Sequence, residues 1–400
     1  QVHVKGTVAG KVYIDGEAGV QAMMEGMTRV PEPQVQQLGP IVLDAMGLTA
    51  VRQIGWQGAF EGKNWASRGF LGLEGDRKGL VALLDFPDLK PDQVAMIPGS
   101  AAWAQVGRFD GNRLLNDIRD AIAKINPQGA QQFDVVIRQA YAFTGVDIQK
   151  DLFASLGDTF VTYAVPDADG KITGITFANK AKDPAKLEQA LTGLETFANQ
   201  MMAQRGGAGV VTLKQEPLSA PNDKLTAHIV TTPAGTGAWT VADGVLYVSG
   251  GKAELEKAIA VKGGGLTGDA KFAALKQKVG APGMSGFVYD DLAQVGPGYY
   301  DAVKTGFNKA IEQADVKQAP LPDYEKLKPY MGMGLGVWWS DTAGIHVAQE
   351  GPFPGWSVIN PVTEIASRIQ EKLMNFTPPP APGQENPAAE TPAPAPAPQQ

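Results

Sequence analysis

The chain has 400 residues, enough for two or three domain-sized units or for one large body built from repeats. Its net charge of -7, with 35 basic residues scattered among 42 acidic ones, argues against a nucleic-acid partner and against a polybasic membrane anchor. The absence of cysteine excludes disulfides, thiolate metal sites and cysteine nucleophiles. No apolar run of about eighteen residues occurs, so the sequence predicts no transmembrane segment.

The predicted elements begin with a unit at residues 1–90. In it, "GKVYIDGEAGVQAMMEGM" predicts a strand leading into a helix, "VQQLGPIVLDAMGL" a second helix, and "AVRQIGWQGAFEGKNWASRGFLGLEG" a β-hairpin. A second unit, residues 91–215, repeats the order with "AAWAQVGRFDGNRLLNDI", "VDIQKDLFASLG" and the hairpin "DTFVTYAVPDADGKITGITFAN". Its closing helix has the clearest start, because Asp183 is placed to cap it and Pro184 suits its first turn.

The third unit, residues 216–359, contains an extra hairpin in "AHIVTTPAGTGAWTVADGVLYVSG". It then continues with "SGFVYDDLAQVGPGYYDAV", "YEKLKPYMGMG" and the hairpin "GMGLGVWWSDTAGIHVAQE". Residues 360–376 predict a C-terminal amphipathic helix, and residues 377–400 a disordered tail rich in Pro and Ala. We therefore expect an α+β fold of about three irregular strand–helix–helix–β-hairpin repeats with largely antiparallel sheets.

Several segments of the sequence resemble a known family. "PGSAAWAQVGRFDGNRLL", "GVDIQKDLFASLGDTFVTYAVPD", "WTVADGVLYVSGGKAELEKAI" and "GFVYDDLAQV" are similar to a widespread set of uncharacterised secreted or lipid-anchored bacterial proteins, known only as a domain of unknown function. The resemblance covers roughly residues 90–350 and, more weakly, the first ninety. It implies an extracytoplasmic α+β body, and it assigns no role to any residue.

A Ser-x-x-Lys pair, Ser249 and Lys252, stands where a predicted strand runs into a helix. In serine acyltransferases this pair works with a Ser-x-Asn element and a Lys-Thr-Gly edge strand. The Lys-Thr-Gly at residues 304–306 lies in a helical pattern instead, and no Ser-x-Asn element lies between. The pattern favours a structural role, in which Ser249 or a neighbouring glycine caps the helix, and we predict no catalytic residue.

The sequence also predicts no cofactor or metal site. "GGGLTG" matches a dinucleotide-binding string, but it follows a helix and not the strand that such a site needs. "PDADGKI" holds part of a calcium loop whose first and twelfth positions are Val165 and Thr176, so a hairpin turn is the better interpretation. The three histidines, His3, His228 and His346, are spread along the chain and form no short-range zinc pair.

Aromatic residues near the C-terminus are the candidate binding residues. Trp338 and Trp339 are adjacent in a predicted strand, so their side chains point to opposite faces. Phe353 and Trp356 follow in the loop "GPFPGW". The pattern favours packing of the helix at 360–376 over Trp338, so that both tryptophans are structural, because that helix directly follows the hairpin and its apolar stripe needs a partner. If that face is instead open, Trp338, Phe353 and Trp356 form a speculative binding surface.

The function that these features favour is a non-catalytic exported binding or structural protein of the bacterial cell envelope. Its partner would be an unknown envelope protein, a glycan or a lipid. One alternative is a periplasmic carrier of an apolar ligand such as a lipid, and another is a hydrolase whose site assembles only in three dimensions. A flat aromatic face would favour the binding protein, a deep apolar pocket the carrier, and a cleft with perturbed carboxylates or histidine the enzyme.

The expected location is extracytoplasmic, either periplasmic or secreted. The chain opens at Gln1 without an initiator methionine and runs directly into polar and alternating residues. Such a start is typical of a mature N-terminus after removal of a signal peptide, although a trimmed chain would begin in the same way.

Overall fold

One antiparallel sheet connects the strands that the computed structural model describes. The structure describes residues 4–352 except 83, 168–169, 171, 173, 205–210, 233–234, 262–264 and 315–320. The predicted C-terminal helix at 360–376 and the tail at 377–400 lie outside the described residues. No helix within the described ranges is both long and apolar enough to cross a bilayer.

The described part of the sheet has thirteen strands, which lie in the order β1-β2-β3-β13-β12-β11-β4-β5-β6-β10-β9-β8-β7. Every neighbouring pair is antiparallel. The strands are β1 Thr7–Asp15, β2 Val51–Glu61, β3 Asn64–Leu73, β4 Trp103–Arg108, β5 Thr159–Ala164, β6 Thr176–Lys180, β7 Thr212–Pro217, β8 Thr226–Thr232, β9 Gly235–Ala242, β10 Val245–Ser249, β11 Gly286–Asp291, β12 Met333–Asp341 and β13 Gly344–Gly351.

The helices separate the strands into groups. They are α1 Gly16–Arg29, α2 Pro33–Ala45, α3 Gly79–Ala82, α4 Gly111–Ile125, α5 Pro127–Thr144, α6 Pro184–Gln204, α7 Lys252–Ile259, α8 Ala270–Val279, α9 Leu292–Ala314 and α10 Tyr324–Leu327. Short 3-10 turns lie at Leu48–Ala50, Pro91–Gln93, Leu266–Gly268 and Lys328–Tyr330, and a π-helical turn at Ile148–Phe153. The α+β class with antiparallel strands is thus confirmed.

The order of a strand, two helices and a hairpin occurs three times along the described chain. It is found in β1-α1-α2-β2-β3, in β4-α4-α5-β5-β6 and in β11-α9-α10-β12-β13. Within each group the leading strand pairs with the first strand of its hairpin. The groups lie in the sheet in the order first, third, second, and β7–β10 extend its far end. The predicted boundaries of the units at residues 90 and 215 stay predictions, since all three groups share one sheet.

The second helix of the group β4-α4-α5-β5-β6 differs from the sequence prediction. The segment "VDIQKDLFASLG" forms only the π-helical turn, and the eighteen-residue α5 precedes it. Asn126 caps α5 by accepting a hydrogen bond from the Gln128 amide, and Pro127 opens the first turn. The helix ends at Gly145, whose φ of 69° suits a residue without a Cβ.

The two faces of the sheet are covered differently. We call the side that carries Val106, Val161 and Phe287 the core face, because α7, α8 and the segment at 94–101 pack there around one large cluster. On the opposite face, α6 covers β6, β9 and β10 with Leu187 and other apolar residues. In β12, alternation places Val337 and Trp339 on the core face and Trp338 on the opposite face. Their neighbours on β13 are Ala348, His346 and Val347 respectively.

The prediction that Ser249 caps α7 is wrong, because Ser249 is the last residue of β10. Its side chain is buried, and its hydroxyl lies 3.0 Å from the hydroxyl of Thr176 on β6. Gly251 is the N-cap residue, in agreement with the alternative that a neighbouring glycine takes this role. The Lys252 ammonium faces Glu216 at 3.8 Å. A tertiary hydrogen bond therefore replaces the local one that the sequence suggested.

This placement predicts how Ser249 tolerates substitution. Ser249→Ala loses one buried hydrogen bond and should lower the free energy of unfolding by about 1 kcal/mol. Ser249→Asp places a carboxylate among buried groups without a cationic partner and should cost about 3 kcal/mol or more. Urea denaturation measures both values. Equal stability of Ser249→Asp and the parent chain would restore the capping role, because aspartate caps helices as well as serine does.

A candidate apolar binding surface

The opposite face of β1, β2, β3, β13 and β12 carries a row of apolar residues. The strand registers place Val12 beside Trp56, Trp56 beside Gly69, Gly69 beside Val347, and Val347 beside Trp338. Ile14 and Ile54 form a parallel row, and Phe60 lies further along β2. We call this set the apolar sheet face: Val12, Ile14, Ile54, Trp56, Phe60, Trp338 and Val347.

The side chains of the apolar sheet face are open to solvent. Trp56 is 37% exposed, Phe60 44%, Val347 47% and Ile14 48%, and Trp338 is half-buried. An isolated exposed apolar residue is common on protein surfaces. A contiguous group on one face of neighbouring strands is the pattern that marks interaction surfaces.

Glycines allow the indole rings to lie flat against the backbone. A Cβ at Gly58 would collide with the ring of Trp65 and would lie 2.8 Å from the ring of Trp56. A Cβ at Gly286 on β11 would likewise collide with the ring of Trp338. The absence of a Cβ at Gly58 and Gly286 therefore leaves the space that these indole rings occupy.

A buried tryptophan supports the exposed aromatic rings. Trp65 is 5% exposed and stacks on Trp56, with 6.1 Å between ring centroids and 29° between ring planes. Phe60 meets the same indole edge-on at 5.1 Å and 75°. Such pairs add about 0.5–1.5 kcal/mol beyond their buried area and fix the orientation of the rings. The contacts with Trp65 therefore favour one orientation of the Trp56 and Phe60 rings.

The chemistry of this surface is apolar recognition. Between the rows of apolar side chains, the same face presents Gly10, Gly58, Gly69, Ser67 and Gln349, and none of these is charged. No group of three or more His, Asp or Glu side chains in the described ranges is placed to hold a metal ion. The apolar sheet face thus provides neither acid–base groups nor metal ligands.

Only one of the three predicted binding residues is placed by the structure. Trp338 lies at the border of the apolar sheet face, while Phe353 and Trp356 lie outside the described residues. Sequence reasoning missed the residues on β1, β2 and β13. A signal for them exists in β2, where Ile54, Trp56 and Phe60 occupy alternate positions of one face with Gly58 between them.

A groove on the helical side of the molecule is polar and does not suit an apolar ligand. It measures about 900 Å³ and lies between α4, α5 and the π-helical turn. Arg119 on α4 donates hydrogen bonds of 2.8 and 2.9 Å to both carboxylate oxygens of Asp134 on α5. Hydrogen bonding from this guanidinium lowers the pKa of Asp134. A smaller pocket of about 320 Å³ lies beside Tyr163, Thr176 and Glu254.

Two of the three histidines have carboxylate partners. His228 Nδ1 lies 2.7 Å from Glu195 Oε2, and its ring stacks on Trp239 at 3.8 Å. Both partners are buried, so this pair ties α6 to β8. His346 Nε2 lies 2.9 Å from Asp341 Oδ2. His3 is outside the described residues.

Asp290 is a buried carboxyl near the end of β11. It lies in the middle of the sheet on β11, is 2% exposed, and its Oδ1 has no hydrogen-bond partner. Burial and the neighbouring Asp291 raise the pKa of Asp290 well above its ordinary value. With 2% of its surface exposed, this carboxyl is shielded from solvent.

Comparisons with known proteins do not identify the chain. No protein-family profile and no curated protein matches it. Among solved structures, crystal form III of TP0453 aligns at 12% identity over 70% of this chain and 86% of the other, with a TM-score of 0.25. A TM-score this low supports no conclusion about fold or function. The resemblance to uncharacterised secreted or lipid-anchored proteins stays a prediction.

The close approach of the Trp65 and Trp56 rings to Gly58 leads to a stability prediction. Gly58→Ala should lower the free energy of unfolding by about 1–3 kcal/mol, because the added methyl group displaces Trp65 and Trp56. Gly107→Ala on β4 is the matched control, since nothing lies within 4 Å of its Cβ position, and it should stay within about 1 kcal/mol of the parent. Denaturant melts with tryptophan fluorescence measure both. Equal stabilities would show that the rings do not rest on Gly58.

The buried Asp290 carboxyl predicts a pH-dependent effect. Because its pKa is raised in the folded state, the folded protein holds a proton that the unfolded chain releases, and stability falls as pH rises above about 4. The stability of Asp290→Asn relative to the parent should therefore increase from pH 4 to pH 7, by up to about 1.4 kcal/mol per pH unit. Urea melts across this range test it, with Asp120→Asn on the exposed side of α4 as the control. A pH-independent difference would contradict the prediction.

Proposed function

We propose that this chain is a non-catalytic binding protein that docks a partner protein on the apolar sheet face. The observation that carries the proposal is the group of exposed aromatic and aliphatic side chains on one face of β1, β2 and β13. Burying apolar surface contributes about 25 cal/mol per Å², so such a group is a strong site of association.

The arrangement of the aromatic rings supports protein recognition. Trp56 and Phe60 are exposed, but both contact the buried Trp65, so little side-chain entropy is lost when a partner covers them. Tryptophan is enriched among the residues that dominate binding energy in protein interfaces. Val12, Ile54 and Val347 surround Trp56 with aliphatic area and no charge. This composition matches the apolar centre of an interface.

The geometry favours a protein over the other partners that the sequence left open. A lipid carrier encloses its ligand, whereas the side chains of the apolar sheet face are exposed to solvent. The groove between α4 and α5 is lined mainly by polar and charged side chains. A glycan needs hydrogen-bond partners for its hydroxyls. On this face Ser67 is buried and its hydroxyl donates to Gln349 Oε1 at 3.3 Å, so it is not available to a sugar. A location in the bacterial envelope belongs to the same proposal and rests on the resemblance over residues 90–350.

Site-specific photocross-linking in the producing cell tests the proposal. A benzophenone amino acid at Val347, within the apolar sheet face, should give one discrete protein adduct. The same probe at Val136, which is 60% exposed on α5, should give none. Trp56→Ser should reduce the Val347 adduct at least tenfold, about 1.4 kcal/mol, because it removes the central ring. Circular dichroism verifies that this variant is folded.

Two results would contradict the proposal. Adducts of equal yield at Val347 and Val136 would show that the face has no preferred partner. An adduct at Val347 that Trp56→Ser leaves unchanged would show that the aromatic cluster does not form the docking site.

A further inference from the structure

The strand β1 is an edge strand of the described sheet. It stands at the end of the strand order, and β2 is its sole pairing partner among the described strands. Its side chains are exposed on both faces: Val12 is 45% exposed and Tyr13 66%. An edge strand with unpaired amides and carbonyls beside apolar side chains is a template for pairing with another strand.

The part of β1 available for pairing is limited on both sides. The register with β2 shifts between Val8 and Gly10, and α1 begins at Gly16, which leaves residues 10–15 as the regular stretch. Asp15 caps α1 by accepting a hydrogen bond of 3.0 Å from the Ala18 amide. From there α1 packs on β2 and α2 and so turns away from the outer edge of β1.

The sequence of this stretch is complementary to itself in one register. A twofold axis perpendicular to the sheet brings a second copy of β1 alongside in antiparallel orientation and keeps each face on its own side. Centring the axis on Lys11 opposes two lysines, and centring it on Val12 leaves Lys11 opposite Tyr13. Centring it on Tyr13 places each Lys11 opposite the Asp15 of the other copy. Opposite charges directly across a strand pair stabilise it, and like charges destabilise it.

We propose that two copies of this chain associate through antiparallel β1 strands centred on Tyr13. The two Tyr13 rings then meet on the core-face side, flanked by two Lys11–Asp15 pairs. On the other side, Val12 of each copy lies opposite Ile14 of its partner. The partner of this edge is therefore a second copy of the chain, and the pairing joins the two sheets.

The pairing also extends the apolar surface. Within one copy Val12 neighbours Trp56 and Ile14 neighbours Ile54. Across the twofold axis, the row of Trp56 and Val12 in one copy continues into Ile14 and Ile54 of the second copy. The dimer thus presents two apolar sheet faces as one continuous surface. The inference goes beyond the proposed docking function and does not depend on it, because it rests on the free edge and its charge pattern.

Single cysteines test the register directly, because the chain has no cysteine of its own. Residues directly opposite in an antiparallel pair have Cα atoms about 4.5–5.5 Å apart, within disulfide range. Tyr13→Cys should therefore form an intermolecular disulfide on mild oxidation. A mixture of Val12→Cys and Ile14→Cys should form the mixed disulfide about tenfold faster than Val12→Cys alone, whose thiols lie on a longer diagonal. Val136→Cys on α5 is the exposed control.

Light scattering of the full chain provides the second readout. The parent should be a dimer, and Lys11→Asp should shift it towards monomer, because each aspartate then faces Asp15 of the other copy. A monomeric parent, or Tyr13→Cys that dimerises no faster than Val136→Cys, would overturn the proposal and leave the edge to a strand of another protein. A dominant Val12→Cys homodisulfide would overturn the register. None of these results bears on the Val347 adduct that tests the docking function.

Discussion

The pairing of β13 with β3 is the constraint on which the remaining architecture depends. It joins residues 344–351 to residues 65–72 through eight successive register positions. This ladder connects the first strand–helix–helix–hairpin group to the third, and β11 then connects the third to the second through β4. Without it the apolar sheet face would not exist, because Val347 belongs to one group and Trp56 to another.

On the core face, Arg68 and the buried Glu350 stabilise the pairing of β3 with β13. Arg68 on β3 donates hydrogen bonds to the Gln349 carbonyl at 3.2 Å, to Glu350 Oε1 at 3.2 Å and to the Val279 carbonyl at 2.9 Å. Burial raises the pKa of Glu350, and the nearby Lys278 and Arg68 oppose that rise. Removing one partner of such a buried pair is costly, because the other charge is left without compensation. The contacts therefore select one register between two strands that are distant in sequence.

The two faces of the sheet differ in which helices cover them. On the core face α7 and α8 cover the sheet over a continuous cluster, and α6 covers the far end of the opposite face. Near β1 and β2 the exposed aromatic side chains rest instead on glycines and on one buried indole. A group of exposed apolar side chains suits association with another surface. The proposed docking function rests on this contrast between the helix-covered parts of the sheet and the exposed side chains near β1 and β2.

The sequence by itself determined the features that depend on near neighbours. Asp183 caps α6 by accepting a hydrogen bond from the Lys186 amide at 3.1 Å, and Pro184 opens that helix, as predicted. The hairpin at β12 and β13 and the opposite orientations of Trp338 and Trp339 also follow from local alternation. Helix caps, turns and alternation involve residues a few positions apart, so the sequence contains their cause.

Tertiary structure alone decided where these elements meet. The order of the three groups in the sheet depends on pairing between residues some 280 positions apart, which leaves no local pattern. The same holds for Ser249. Its local context suggested a helix cap, but its hydroxyl lies at hydrogen-bond distance from Thr176 on the neighbouring strand β6. Whether an alternating strand becomes core or binding surface depends on which helix lies over it. For β2, alternation showed that Trp56 and Phe60 share a face, and only the packed fold showed that this face stays open.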